Sequence, residues 1–87
     1  MEIKKYVSAL ALFDVVDAIQ FNGDMYELAV LIPGAVLLSG TDGVATIYLN
    51  NNTMRLHLND YLIMYEDVAF VLDSKAMSVL YKEGGEQ

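Results

Sequence analysis

Polar side chains alternate with apolar ones between residues 44 and 58, and four of them could bind an anion. Arg55 is the only arginine in the chain, and its planar guanidinium can donate two parallel hydrogen bonds to a phosphate or carboxylate. The ring of Tyr48 could stack on a base. The candidate ligand-binding residues are Tyr48, Arg55, His57 and Thr46. They predict a site for a small anionic, nucleotide-like ligand held between subunits; the alternative is an ordinary polar cross-strand pair on a wet sheet face.

Residues typical of catalytic centres are scarce. The chain has no cysteine and one histidine, and it contains neither of the glycine-rich phosphate-binding motifs. The acidic pair Glu66-Asp67 has the composition of a hairpin turn. Asp14 and Asp17 would point to opposite faces of a strand, so they would not act together. We therefore expect no enzymatic activity, no metal site and no cofactor.

The candidate residues need two paired strands to position them. If Asn51-Asn52 is a two-residue turn, Tyr48 lies directly opposite Arg55, and asparagine accepts the positive φ angles that such turns require. The same register places Thr46 opposite His57 on the polar face. It also sorts the apolar residues to the other face, pairing Leu49 with Met54, Ile47 with Leu56 and Ala45 with Leu58.

A second hairpin follows, with Glu66-Asp67 as its turn. In this register Ile63 meets Phe70 on one face, while the pairs on the other face are Leu62 with Val71 and Met64 with Ala69. Both faces are apolar, so both should be covered. We expect helices on one face and a partner subunit on the other.

The remaining elements are read from periodicity and capping residues. A strand is predicted over residues 13–21, whereas residues 3–12 fit either a strand or a helix. Asp24 and Glu27 have the spacing of a capping box, and the helix that they start ends at Pro33-Gly34. A short strand over 35–39 leads to a turn at Asp42-Gly43. A last helix is predicted over 74–83, with Lys82 near its C-terminus.

These elements predict a small single α+β domain over residues 1–87. It would contain a mostly antiparallel sheet of about five strands and two short helices, in the order β-α-β-β-β-β-β-α.

Composition narrows the possible partners. Twelve acidic and five basic residues give a net charge of −7, which excludes a basic footprint for nucleic acid. Apolar residues make up 55% of the chain, and in so short a chain part of this surface should remain exposed and mediate homo-oligomer formation. No apolar run approaches the roughly 20 residues that cross a bilayer, so we expect no membrane partner.

Three segments carry a family resemblance. Residues 15–24 read VVDAIQF followed by NGD, residues 59–73 read NDYLIMYEDVAFVLD, and Met77 lies four positions before Tyr81 in the closing helix. Together these segments resemble a group of small accessory proteins encoded by tailed bacteriophages, which have an Ala-Ile-Gln strand, a Gly-Asp helix start and a Gly-Asp-Tyr hairpin. The chain departs from the group at Asn59, where Gly is usual, and at Met77, where Phe is usual. The resemblance implies a phage accessory protein of α+β shape and carries over no catalytic residue.

Small phage proteins of this kind act by binding, which leads to three hypotheses. The first is a counter-defence homo-oligomer in the host cytoplasm that sequesters a small nucleotide immune signal, such as a cyclic ADP-ribose-like molecule or a cyclic dinucleotide. The second is an acidic inhibitor directed at a host defence nuclease or complex. The third is a minor structural or assembly protein of the virion.

Overall fold

The chain forms two antiparallel β-sheets and two short helices. The computed structural model describes residues 1–9 and 15–84. The elements in chain order are β1 (Lys4–Ser8), β2 (Val15–Gln20), α1 (Met25–Leu31), β3 (Val36–Thr41), β4 (Val44–Leu49), β5 (Asn52–Leu56), β6 (Tyr61–Tyr65), β7 (Val68–Leu72), α2 (Ser74–Leu80) and β8 (Tyr81–Glu83). The larger sheet has the order β7-β6-β2-β1-β8 and the smaller one β3-β4-β5. The predicted α+β class and element order are confirmed. Two further strands, β1 and β8, lie near the beginning and the end of the described chain.

The β6–β7 hairpin has the predicted register. Leu62 pairs with Val71, and Ile63 pairs with Phe70. Glu66 adopts a φ of 52°, the left-handed conformation that the tight turn requires.

Both faces of this hairpin are covered by the chain itself, so the position expected for a partner subunit is wrong. Leu62 and Ile19 belong to a core that they share with the smaller sheet and α1. Ile63 and Ala18 face the other way and pack with Met77 of α2. The larger sheet therefore lies between two cores. Because both faces of the β6–β7 hairpin are covered, any contact between copies must use another surface.

The N-terminal segment is a pair of strands. β1 pairs antiparallel with β2, with Lys5 opposite Asp17. The strand interpretation is therefore correct for residues 4–8, and the helical alternative is wrong there. Lys5 Nζ lies 2.7 Å from Asp17 Oδ1 across this pair. Asp14 and residues 10–13 lie outside the described residues.

Helix α1 begins at the predicted cap. The Glu27 amide donates a hydrogen bond to Asp24 Oδ1 over 3.0 Å, which satisfies one of the free amides of the first turn. The helix ends at Leu31, before the Pro33-Gly34 turn. Met25 fills the space beside Gly40, where a Cβ would collide with its sulfur. This contact fixes α1 on β3.

The β4–β5 register differs from the prediction by two residues. The turn is Asn50-Asn51, with φ angles of 52° and 68°, so Asn52 already lies in β5. Leu49 pairs with Asn52 as a result, and Ala45 pairs with Leu56. A shift of two preserves which side each residue faces, because side chains alternate with period two. The predicted faces are correct for the residues within β4 and β5, and the predicted partners are wrong. Leu58, predicted on the buried face opposite Ala45, lies beyond the end of β5 and is exposed.

Helix α2 is shorter than predicted. Asp73 caps it, accepting a hydrogen bond from the Ala76 amide over 2.7 Å. The chain becomes extended at Tyr81, which pairs with Ser8 of β1. Lys82 is consequently a strand residue and does not interact with the helix dipole. The segment that begins at Tyr81 pairs with the free edge of β1. This strand pairing outweighs the helical spacing of its residues.

We expect Asn59→Gly to stabilise the protein. Asn59 has a φ of 72°, a left-handed conformation that glycine adopts without the steric cost of a Cβ. The free energy of unfolding should rise by about 0.5 kcal/mol. Asn52→Gly is the matched control and should lower it by a similar amount, since Asn52 lies in a strand. Urea denaturation measures both changes; destabilisation by Asn59→Gly would contradict the expectation.

Candidate functional site

Three of the four candidate residues share one surface, the solvent-facing side of the smaller sheet. We call this surface the outer face, and its residues are Val36, Ser39, Thr46, Tyr48, Thr53 and Arg55. Directly opposite residues in an antiparallel pair point to the same side, so Thr46 and Arg55 lie together, as do Tyr48 and Thr53. The alternate residues Ile47 and Leu56 are fully buried on the other side. Burial of that side holds the outer face towards solvent.

Arg55 is the one charged residue on the three strands of the smaller sheet, which contain no Asp or Glu. Its side chain is exposed and makes no ion pair within residues 1–9 and 15–84. By contrast, Lys4 and Lys5 are each paired with a carboxylate. The outer face therefore presents an uncompensated guanidinium on a neutral surface.

Tyr48 and Arg55 are diagonal neighbours, and the predicted direct pair is wrong. Tyr48 lies opposite Thr53, and Arg55 lies two residues further along β5, so their Cβ atoms are separated by roughly 7 Å in ordinary sheet geometry. The Tyr48 hydroxyl donates a hydrogen bond to Asn51 Oδ1 over 3.2 Å. This bond anchors the ring beside the turn and leaves part of the ring open to solvent. A planar group could stack there while an anionic group reaches Arg55.

His57 does not join the row, and the predicted Thr46–His57 pair is wrong. β5 ends at Leu56. The His57 amide donates a hydrogen bond to Asp60 Oδ2 over 2.8 Å, and the Asp60 amide donates one to the His57 carbonyl. This turn, with Asn59 in its left-handed conformation, directs the chain towards β6. The His57 ring lies 3.5 Å from the same carboxylate. Both contacts with Asp60 hold His57 in this turn.

Two clefts of about 270 and 280 Å³ lie around β1, and neither includes a candidate residue. A ligand on the outer face would thus contact one wall of this chain and would need a second wall to exclude water.

The first of these clefts contains residues that the sequence interpretation missed. Lys4 and Tyr6 of β1 line it together with Gln20 and Asn22 at the end of β2. These four residues alternate with period two, but they become neighbours only because β1 pairs with β2. The sequence shows the period-two alternation within each segment, but it does not show that β1 pairs with β2.

Tyr6 sits at the edge of this cleft against Tyr61. The ring centroids are 5.9 Å apart at 78°, an edge-to-face arrangement. Desolvation by burial, followed by the hydrogen bond with Tyr61, raises the pKa of Tyr6 to about 12. Burial also raises the pKa of Tyr81. Both phenols are therefore protonated at neutral pH.

We expect stability to fall as pH rises from 10 to 12. In this window the folded protein retains the Tyr6 proton whereas the unfolded chain, with the ordinary tyrosine pKa of 10.0, releases it, so alkali favours unfolding. Tyr6→Phe should make the decline shallower, with Tyr81 contributing the remainder. Urea midpoints at pH 9 and at higher pH values test this, with Tyr26→Phe at an exposed position as the control. Equal slopes in all three proteins would refute it.

Neither a metal centre nor a membrane span emerges from the described residues. No group of three or more His, Cys, Asp or Glu side chains within 1–9 and 15–84 is placed to hold a metal ion. No helix in these segments is long and apolar enough to cross a bilayer.

Comparison with known proteins adds no constraint. No protein-family model matches the chain, and neither a curated protein nor a solved structure matches it. Any functional assignment must therefore come from the residues and their geometry.

Proposed function

We propose that the protein is a phage-encoded, non-enzymatic counter-defence protein that self-associates and sequesters a small nucleotide immune signal in the host cytoplasm. The observation that carries this proposal is the uncompensated guanidinium of Arg55 on the uncharged outer face. Cyclic dinucleotides and cyclic ADP-ribose-like molecules combine phosphates with planar bases. These are the groups that Arg55 and the ring of Tyr48 can bind.

The charge of the chain supports a local recognition mechanism. A net charge of −7 repels anions at long range, so attraction must come from short, direct hydrogen bonds. Such bonds gain strength when water is excluded, because the effective dielectric constant falls. Direct hydrogen bonds on the exposed outer face therefore need further contacts from a neighbouring surface that reduce the access of water.

A second copy, added at the edge of the smaller sheet, is the proposed source of further contacts to the ligand. β3 is an edge strand of the smaller sheet, and its residues carry no charge. Val36 and Leu38 on this strand are 52% and 53% exposed. Exposed apolar residues on an unpaired edge favour strand addition, and an uncharged edge adds no local charge repulsion between two acidic chains. Association through β3 brings two outer faces into one continuous surface.

Native mass spectrometry tests the proposal directly. The protein is measured alone and with cyclic di-AMP, cyclic di-GMP and cyclic ADP-ribose. An oligomer that gains the mass of one probe supports sequestration. An oligomer without added mass contradicts the binding of these signals and favours the inhibitor or virion hypotheses. A monomer under all conditions removes the site between copies.

A further inference from the structure

The cleft between β1 and β2 lies on the other side of the larger sheet from the outer face. Ala18 forms its floor, and Ala18 belongs to the core that α2 covers. Lys4 stands directly opposite Ala18 in the β1–β2 pair. The smaller sheet packs against the opposite face through Ile19. The cleft is therefore independent of Arg55 and of any contact through β3.

Two side-chain amides in the cleft are held in fixed orientations. Gln20 Nε2 donates a hydrogen bond to the Asn59 carbonyl over 3.3 Å, which leaves Gln20 Oε1 as an acceptor. Asn22 Oδ1 accepts a hydrogen bond from the Asp24 amide over 2.9 Å, which leaves Asn22 Nδ2 as a donor. Both residues line the cleft, so the remaining acceptor of Gln20 and the remaining donor of Asn22 are available to a heterocycle that carries one donor and one acceptor.

The negative charges around the cleft are at least as numerous as the positive ones, so the cleft does not attract an anion. Lys4 Nζ lies 3.4 Å from Glu83 Oε2, and both side chains are exposed. Glu2 also lines the cleft. Met1 lines the cleft too, and its N-terminal ammonium lies 2.8 Å from Glu27 Oε2. A phosphate placed there would meet three carboxylates and two ammonium groups that are already paired, so an uncharged ligand fits better. The ring of Tyr6 supplies an apolar surface to the cleft. The Tyr6 hydroxyl is already hydrogen-bonded to Tyr61.

We infer that this cleft binds an uncharged nucleobase or nucleoside. Its volume of about 270 Å³ is close to the lower limit of roughly 300 Å³ for small-molecule pockets, which suits one base and not a dinucleotide. Gln20 and Asn22 read the hydrogen-bonding edge of the base, and the Tyr6 ring packs against it. The site would recognise the base alone, in contrast to the anion site proposed on the outer face.

Titration of the ¹⁵N-labelled full chain with adenosine, guanosine, cytidine and uridine tests this inference. At least one nucleoside should shift the side-chain amide signals of Gln20 and Asn22 saturably, and its 5′-monophosphate should bind more weakly. Gln20→Ala should weaken binding about fivefold through loss of one hydrogen bond. The control Val30→Ala, at an exposed position on α1, should not change it.

Three outcomes would overturn the inference. They are the absence of shifts at Gln20 and Asn22 with all four nucleosides, tighter binding of the monophosphate, and shifts confined to β4 and β5. The last would assign base recognition to the outer face. Because the titration follows wild-type signals, it remains decisive even if Gln20→Ala fails to fold.

Discussion

Arg55→Ala is expected to weaken binding of the proposed nucleotide signal strongly while the proposed oligomer remains intact. A guanidinium that donates two charge-assisted hydrogen bonds to a phosphate contributes more than a neutral pair, and its loss should weaken binding by about 100-fold. Arg55→Lys should recover part of the affinity, because an ammonium keeps the charge and loses the planar fork. Isothermal titration with the probe identified by native mass spectrometry measures both variants.

The matched control for this prediction is Lys75→Ala. Lys75 is an exposed residue of α2, and its removal lowers the net charge by the same amount as removal of Arg55. If general electrostatics governed binding, both variants would lose affinity equally. Unchanged affinity in Arg55→Ala would reject the outer face as the site, whatever the oligomeric state.

Leu38→Lys is expected to convert the oligomer to a monomer. Leu38 is exposed on the free edge of β3, at the bulge between Leu37 and Ser39. A charge there must lose water when a second strand pairs with this edge, and natural edge strands use lysine to prevent such pairing. The dissociation constant of the oligomer should rise by at least about tenfold. Light scattering after size-exclusion chromatography, over a range of concentrations, measures the change.

Val79→Lys serves as the control for Leu38→Lys. Val79 is 67% exposed on α2, so the substitution adds the same charge at a similarly exposed apolar position away from β3. This variant should remain oligomeric. Dissociation of both variants would indicate that an added positive charge disrupts the oligomer at either position. Dissociation of Val79→Lys alone would indicate that the interface includes α2. Ligand affinity should fall with Leu38→Lys although Arg55 is retained, because the contacts from the second copy are lost.

The β6–β7 hairpin was predictable because only one turn was available. Glu66-Asp67 is the one polar pair between two apolar runs, and it fixes the register observed for Ile63 and Phe70. At the β4–β5 turn, Asn50, Asn51 and Asn52 are consecutive, so two turns satisfy the local chemistry. Pairing across the sheet selects between them, and local residue preferences do not encode that choice.

The candidate site was predicted in part for the same reason. Period-two alternation places Thr46, Tyr48 and Arg55 on one face in either register, so their common location follows from the sequence. The loss of His57 from this row depends on Asp60, whose carboxylate binds the His57 amide and ends the strand. That competition between a side chain and a strand partner is visible only in three dimensions.

The β1–β8 pairing was not predictable because it joins distant parts of the described chain. Tyr81 follows Met77 at a spacing typical of one helix face, and nothing near it marks a strand. Its pairing with Ser8 depends on β1, which itself must first pair with β2. The division into two sheets is hidden similarly, since alternation shows which residues share a face and not which strands are neighbours.

The late position of β8 also has a consequence for the order of events during synthesis. β1 is translated before the other described strands, yet its second neighbour is β8, whose residues 81–83 are among the last of the described chain to leave the ribosome. Until then one edge of the nascent larger sheet stays unpaired and could bind another strand. Such long-range pairing slows folding to the range of about milliseconds to seconds. Released chains truncated before residue 81 should therefore be more prone to aggregation than chains that include residues 81–84.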